Sequence, residues 1–271
     1  YSLEVTGNKA LMRRIEALWA ERDELGLDDE EMRLLMLTRR RFLRAGAALE
    51  GDARERMGAI MSRLAELGTA FTQNLLADEA GWVMELDEDA LAGLPDFLIA
   101  AAQEAGQEMG RARPVITLSR SLIVPFLQFS PRRDLRERAF HAWAARGANG
   151  GASDNRAIAG EILKLREERA GLLGYESFAA FKLETEMAGT PERVEALLME
   201  VWAPARAQAE ADAEILTRMM QDDGVNDDLR PWDWRYYAER RRQAEHDLDE
   251  AAVKPYLSLE GMIEAAFGVA N

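Results

Sequence analysis

The spacing of apolar residues along the chain is mostly that of amphipathic helices. Between residues 10 and 24, the apolar side chains that share one helical face are Leu11, Ile15, Leu18 and Trp19. A second helix is predicted to start at Asp28, which forms a capping-box pattern with Glu31, and to run to about Arg44. The longest pattern, from Gly51 to Ala77, predicts one long helix.

Two short segments interrupt this helical pattern and are predicted to be strands. Residues 82–86 partly alternate between apolar and polar and are bounded by Gly81 and Asp87. Residues 114–118 begin with proline and continue with β-branched side chains. We expect at most one small antiparallel pair, with a short helix starting at Pro95 between its strands.

Helical patterns then continue to the end of the chain. The predicted helices run from about Ile123 to Phe129, from Pro131 to Ala145, from a cap at Ser153 or Asp154 to Gly174, from Ser177 to Glu184, from Thr190 through a kink at Pro204, from Pro231 to His246, and from starts at Asp249 and Ser258. We therefore predict a mainly α protein with two parts, a helical segment 1–150 that includes the strand pair and a helical segment 151–271.

Charge and composition exclude several classes of function. The chain has 34 basic and 49 acidic residues, a net charge of −15, so we expect neither nucleic acid nor an anionic membrane as a partner. The negative charge could also attract cationic peptides at long range, although keeping the protein soluble is the simpler explanation for it. The absence of cysteine excludes disulfides and thiolate sites; it fits a cytoplasmic protein and equally any compartment that needs no disulfide. There is no run of 18 apolar residues that would span a bilayer.

The ends of the sequence predict an internal piece of a longer protein. Tyr1 takes the place of an initiating methionine, and the residues after it lack the basic and apolar regions of a signal peptide. The last residues, 261–271, end in or just after an apolar segment.

The two histidines are weak candidates for a metal site. A zinc peptidase typically uses His-Glu-x-x-His, which places two imidazoles on one helical face. Neither His141 nor His246 starts this motif. We interpret His246 as a polar residue near a helix end, despite Glu250 four positions later, and His141 as an interior or boundary histidine. There is also no Gly-x-Ser-x-Gly motif. We predict no catalytic, cofactor-binding or metal-binding residue in this chain.

Two charged clusters also have simple interpretations. The oxygen-rich segment 222–228 resembles a calcium loop in composition, but its glycine is misplaced for an EF-hand, and a solvated turn is the better interpretation. The basic run 240–242 is expected to pair with nearby carboxylates and not with phosphate.

The densest aromatic segment is 231–239, with four aromatic residues among six positions. These rings cannot all lie on one helical face, so the helix is expected either to pack centrally or to expose aromatic surface to a cleft. If the second reading holds, Trp232, Tyr236 and Tyr237 are the candidates for the wall of a peptide channel.

Several stretches, in order, resemble the thimet oligopeptidase and dipeptidyl carboxypeptidase family of zinc metallopeptidases. They are Phe71–Glu79, Arg146-Gly147 with Asp154-Asn155, Leu172–Tyr175, Met187-Ala188, Thr190-Pro191, Trp232–Glu239, Leu248–Glu250 and Lys254–Glu260. Each motif is weak alone, whereas their order and number make the match specific from about Phe42 onward. The Trp232-Asp233-Trp234 version is more similar to the bacterial dipeptidyl carboxypeptidases.

The resemblance implies an irregular multi-helix lobe of a clamshell metallopeptidase. Family members cleave short peptides with one zinc, held by His-Glu-x-x-His and a later glutamate, and that segment would follow residue 271. The parent would thus bind zinc and hydrolyse peptides, while this chain alone would bind no zinc, be inactive, and self-associate through surface that the missing half normally covers. The alternatives are a stand-alone helical peptide-binding or interaction module without catalysis, and an acidic helical domain without a ligand.

Overall fold

The computed structural model describes residues 5–246, 253 and 256–270. Within these residues, the elements in chain order are α1 (Lys9–Ala20), α2 (Asp29–Arg44), α3 (Gly51–Gly81), β1 (Val83–Glu85), α4 (Glu88–Leu91), α5 (Asp96–Glu108), β2 (Val115–Thr117), α6 (Arg120–Phe129), α7 (Arg133–Ala144), α8 (Arg156–Leu172), α9 (Phe178–Leu183), α10 (Pro191–Asp222), α11 (Pro231–His246) and α12 (Leu259–Ala270). The mainly α prediction is confirmed. The predicted helix start at Asp249 lies outside the described residues.

Capping side chains define two of the predicted helix starts. The carboxylate of Asp28 accepts the backbone N–H of Glu31 at 2.8 Å, and the Glu31 carboxylate accepts the Asp28 N–H at 3.1 Å. The Ser177 hydroxyl accepts the N–H of Ala180 at 3.1 Å. These pairs satisfy N–H groups that a first helical turn would otherwise leave without partners.

The predicted cap of α8 was wrong. Asn155 occupies the cap position, and the predicted candidates Ser153 and Asp154 precede it. The Asp154 carboxylate instead accepts the N–H groups of Gly150 and Arg156, both at 2.9 Å, and so closes the preceding loop. An aspartate before a helix can either close the preceding loop or cap the helix, and the sequence alone does not show which of the two it does.

Pro204 lies inside α10, whose 32 residues run from Pro191 to Asp222, so the prediction that it does not end the helix is confirmed, whereas the kink stays a prediction. The α3 helix runs beyond the predicted end at Ala77 to Gly81, and α6 begins at Arg120, earlier than the predicted Ile123. Helix ends therefore account for most of the differences from the predicted elements.

The two predicted strands form one antiparallel pair. Val83 lies opposite Thr117, Met84 opposite Ile116, and Glu85 opposite Val115. Met84 and Ile116 of this pair join α5 and α6 in the largest apolar cluster, whose buried residues are Met84, Leu86, Ala90, Leu94, Leu98, Ala102, Ile116, Leu118, Leu122, Ile123, Phe126, Leu127 and Ala139. The predicted strand pair is confirmed.

Contacts group the chain into two compact units. The first comprises Tyr1–Leu76 and Gly147–Trp202, and the second comprises Ala77–Arg146 and Ala203–Asn271. The first unit has two small apolar clusters, around Phe42 and around Ile60. The second unit contains the large cluster and a smaller one around Met220. These units are discontinuous in sequence, and the division into 1–150 and 151–271 stays a prediction.

No helix among the described residues combines the length and the apolar character needed to cross a bilayer.

Candidate functional site

The aromatic helix α11 has a tightly defined first turn. Pro231 is its first residue, where the missing N–H costs nothing because that group would have no helical partner. The carboxylate of Asp233 accepts the backbone N–H of Arg230 at 3.1 Å, and the Asp233 N–H donates to the Arg230 carbonyl at 2.9 Å. This exchange fixes the direction in which the aromatic side chains leave the helix.

A buried ion pair joins α11 to α7. The side chains of Arg136 and Asp233 are 1% and 0% exposed, and Nη2 of Arg136 lies 2.9 Å from the carboxylate. Arg136 also donates to the carbonyl oxygens of Ser130 at 2.8 Å and Trp232 at 3.1 Å. A buried guanidinium is tolerated only when its charge and its N–H groups are matched, and here both are.

Arg133 extends this network to the acidic turn before α11. Its guanidinium donates to both carboxylate oxygens of Asp233, to the Asp227 carboxylate at 2.8 Å and to the Asp228 carbonyl at 3.2 Å. The hydrogen bond from Arg133 is the main reason that the pKa of Asp227 is lowered. Residues 223–228 form the turn between α10 and α11, and arginines pair with three of its carboxylates: Arg240 with Asp223, Arg133 with Asp227 and Arg230 with Asp228.

The three predicted channel residues have different surroundings. The Tyr237 ring is 3% exposed and packs with Leu216 and Met220. Burial, and secondly the Asp223 carboxylate, raises the pKa of Tyr237 to about 12. The half-buried Tyr236 ring lies 4.2 Å from the Arg136 guanidinium carbon and contacts the Tyr237 ring edge-on at 5.1 Å.

Trp232 is half-buried beside α7. Its ring lies 5.1 Å from the ring of His141 and 6.2 Å from that of Phe140. The indole Nε1 is buried, and among the described residues it has no hydrogen-bond partner. Buried indole N–H groups usually find an acceptor, so this unsatisfied donor is a local cost to the fold.

The second half of α11 is held by ion pairs. Arg240 pairs with Asp223, Arg241 with Asp212 at 2.7 Å, and Arg242 with Glu239 at 2.6 Å. The expectation that this basic run pairs with carboxylates is confirmed. Glu239 itself is 5% exposed.

The two histidines do not form a common site in the described structure. The His141 side chain is 64% exposed, with Glu137 at 3.9 Å, so it lies at the surface and not in the interior. His246 is the exposed last residue of α11, and Glu250 lies outside the described residues. Within the ranges that the structure describes, no three His, Cys, Asp or Glu side chains converge as metal ligands. These residues therefore do not fit a zinc site.

Sequence reasoning singled out the aromatic residues but not the ion pair that positions them. Asp233 carries a usable signal, because an acidic residue at the third helical position commonly accepts the cap N–H. Arg136 carries none, since it is one of five arginines between residues 132 and 146 and only its burial distinguishes it.

Comparison with known proteins finds similarity to one family of peptidases. A model of peptidase family M3 matches residues 126–271. The dipeptidyl carboxypeptidase of Salmonella typhimurium is 34% identical over 267 residues, 97% of this chain and 39% of the relative. Oligopeptidase A of Escherichia coli is 32% identical over 235 residues, covering 85% and 35%, and the probable cytosolic oligopeptidase A of Arabidopsis thaliana is 31% identical over 281 residues, covering 100% and 40%. The chain thus spans about two fifths of the length of these relatives.

Proposed function

This chain belongs to peptidase family M3, the family of thimet oligopeptidase and dipeptidyl carboxypeptidase, and we propose that it is part of a zinc-dependent enzyme that hydrolyses short peptides. The observation that carries this proposal is the 34% identity to a dipeptidyl carboxypeptidase over 97% of the chain. Oligopeptidase A is a second named relative of similar identity, so peptide hydrolysis is the shared activity.

We assign the zinc to residues other than these 271. The chain has two histidines and no His-Glu-x-x-His motif, and among its described residues there is no cluster of metal-binding side chains. The chemistry that zinc supplies in such enzymes is activation of the attacking water. By itself, the 271-residue chain is therefore proposed to be inactive.

Peptidase activity tests both parts of this proposal. A short peptide with a free C-terminus is incubated with the 271-residue chain and with the product of the complete gene, each with and without a zinc chelator. We expect cleavage only by the complete protein without chelator. Cleavage by the 271-residue chain would contradict the assignment, and cleavage that survives thorough chelation would contradict the zinc dependence.

We propose that α11 contributes to the wall of the peptide channel. Trp232 is the strongest candidate, because its ring is only half-buried and lies beside the exposed ring of His141. Tyr236 is half-buried beside it in the same helix, whereas Tyr237 is buried and would act by supporting the Tyr236 ring. Partly exposed aromatic surface suits the apolar side chains of an extended peptide.

The channel assignment is tested by Trp232→Leu in the complete protein, with Trp234→Leu as the matched control. Trp234 is in the same helix and its side chain is 37% exposed. We expect Trp232→Leu to raise KM for short peptides severalfold with a smaller change in kcat, because it removes binding that the substrate and the transition state share. Equal effects of the two substitutions would refute a specific role of Trp232.

We also propose that the 271-residue chain self-associates. The first half of α10 exposes large apolar side chains, each more than half exposed: Leu197, Leu198, Met199, Val201 and Trp202. Apolar surface of this kind is typically covered by another protein surface. A second copy of this chain is the occupant we propose for the isolated chain.

Light scattering after size-exclusion chromatography measures this association. We expect dimers or larger species for the unmodified chain and a shift toward monomer for Leu198→Glu. Leu34→Glu is the control, because Leu34 is 65% exposed on α2. A chain that is monomeric at high concentration would contradict the proposal.

We propose a cytoplasmic location for the whole protein. The printed name of the Arabidopsis relative, a probable cytosolic enzyme, supports it. Fractionation of the native host with antibody detection tests it, and recovery in a membrane or secreted fraction would contradict it.

A further inference from the structure

A cationic cavity lies within the first compact unit. Its volume is about 540 Å³, which is in the usual range for small-molecule sites. Its lining residues come from α2, α3, α8 and α9 and the segments beside them. The cationic members are Arg40, Arg41, Arg44, Arg169 and Lys182.

Among the residues that the structure describes, no acidic side chain lines this cavity, although the chain has a net charge of −15. Two of its five cations are neutralised nearby, because Arg44 pairs with Glu184 and Lys182 pairs with Glu186 at 2.6 Å. Of the other three, Arg41 and Arg169 have no ion pair with a described residue, and Arg40 interacts at longer range with Glu184, which already pairs with Arg44. Five cations thus share two neighbouring carboxylates, and the excess positive charge favours the entry of an anion.

Arg169 is the least satisfied of the three. Its Nη2 donates to the Arg44 carbonyl at 3.4 Å, while its Nε is buried and has no hydrogen-bond partner in the described structure. Burial, and secondly the positive charge of Arg44, lowers the pKa of Arg169. A half-buried guanidinium with an unmatched charge and an unmatched N–H destabilises the fold, and a bound anion would offset that cost.

The apolar part of the cavity includes two phenylalanine rings and a methionine. Phe181 faces two of the cations, with the Arg44 guanidinium carbon 4.0 Å and that of Arg169 4.8 Å from its ring centroid. Phe178 and Met61 also line the cavity. An anion that carried an apolar body would thus meet both matching charge and matching apolar surface.

We propose that this cavity binds an oxyanion carried on an apolar body, with its charged group between Arg169 and the rim arginines Arg40 and Arg41. Guanidinium groups pair bidentately with phosphate and with carboxylate, so both sources share the required chemistry. The excess of three cations favours the more highly charged phosphate monoester. Phe178 and Phe181 contact the apolar body.

Calorimetry on the 271-residue chain at low ionic strength tests the proposal with three probes: inorganic phosphate, phenyl phosphate and benzoate. We expect phenyl phosphate to bind more tightly than inorganic phosphate, because only the former uses the apolar wall. Tighter binding of phenyl phosphate than of benzoate identifies the phosphate source, and the reverse order identifies the carboxylate source. Failure of all three to bind at millimolar concentration would overturn the proposal.

Arg169→Gln is the informative substitution, and Lys164→Gln is its matched control on the same helix. Lys164 is exposed, does not line the cavity, and loses the same charge. We expect Arg169→Gln to weaken binding about tenfold or more and Lys164→Gln to leave it within about twofold. Equal weakening by both would show general electrostatic attraction and overturn the site.

Arg40→Gln, at the rim, gives the same test if Arg169→Gln fails to fold. Direct binding is measured throughout, so failure here leaves the proposed peptidase function untouched.

Discussion

Substitution of Asp233 by asparagine tests whether the buried ion pair holds α11 in place. The side chain is 0% exposed and its carboxylate accepts hydrogen bonds from Arg133, Arg136 and the Arg230 backbone. Asparagine keeps the shape and one acceptor oxygen but removes the charge. Arg136, which is 1% exposed, would then carry a buried charge without a nearby counterion.

The expected cost follows from what Arg136 would retain. Removing one partner of a buried pair typically costs about 3–5 kcal/mol, because the remaining charge is uncompensated. Arg136 would keep its hydrogen bonds to the carbonyls of Ser130 and Trp232 and its contact with the Tyr236 ring. We therefore expect a loss near the lower end of that range, about 3 kcal/mol.

Urea unfolding followed by circular dichroism measures this loss, with Asp134→Asn as the control. Asp134 pairs with Arg132 at 2.7 Å, but the two side chains are 62% and 42% exposed, so water screens the pair. We expect Asp134→Asn to change the free energy of unfolding by much less than Asp233→Asn. Similar effects of the two substitutions would refute the argument from burial.

A double substitution separates the penalty of an unpaired charge from any net gain of the pair. Arg136→Met with Asp233→Leu removes both charges and fills their space with apolar atoms. We expect the double variant to be more stable than Asp233→Asn. If it is less stable, the pair contributes more than mutual neutralisation, and the network itself is stabilising.

Two further predictions concern single side chains. The pKa of Tyr237 is about 12, against an ordinary value of 10.0, so its neutral form stabilises the fold below pH 10 and this contribution is lost as the pH rises through 12. Tyr237→Phe should therefore remove the latest phase of tyrosinate absorbance in an alkaline titration, and persistence of that phase would contradict the assignment. A Cβ at Gly106 would overlap the Arg113 carbonyl, so Gly106→Ala should lower the free energy of unfolding, measured with urea, by about 1–3 kcal/mol. The control is Gly68→Ala, which has open space in the middle of a helix and should raise the free energy of unfolding by about 0.5–1 kcal/mol. A neutral result at Gly106 would contradict the close approach of its backbone to Arg113.

Local signals account for the parts of the fold that the sequence predicted well. The capping box at Asp28 and the cap at Ser177 need only residues within one turn, and both are present. The strand pair could also be predicted, because the β-branched residues after Pro114 and the alternation at Val83–Glu85 are local features. The cap of α8 was misplaced because the Asp154 side chain can accept hydrogen bonds either from the preceding loop or from the start of the helix, and the capping propensity of aspartate does not decide between the two.

Long-range partners account for what the sequence could not predict. Arg136 and Asp233 are 97 positions apart, and Arg44 and Glu184 are 140 apart. In a chain with 31% charged residues, any arginine has many eligible carboxylates, so pairing cannot be assigned from composition or spacing. The same abundance hides Arg169, because the informative property is a missing partner, and only a fold can show which cation lacks one. Burial thus distinguishes two guanidinium groups: that of Arg136 is buried with its carboxylate and joins α7 to α11, whereas the half-buried group of Arg169 has no carboxylate among the described residues, which is the basis of the anion site that we propose.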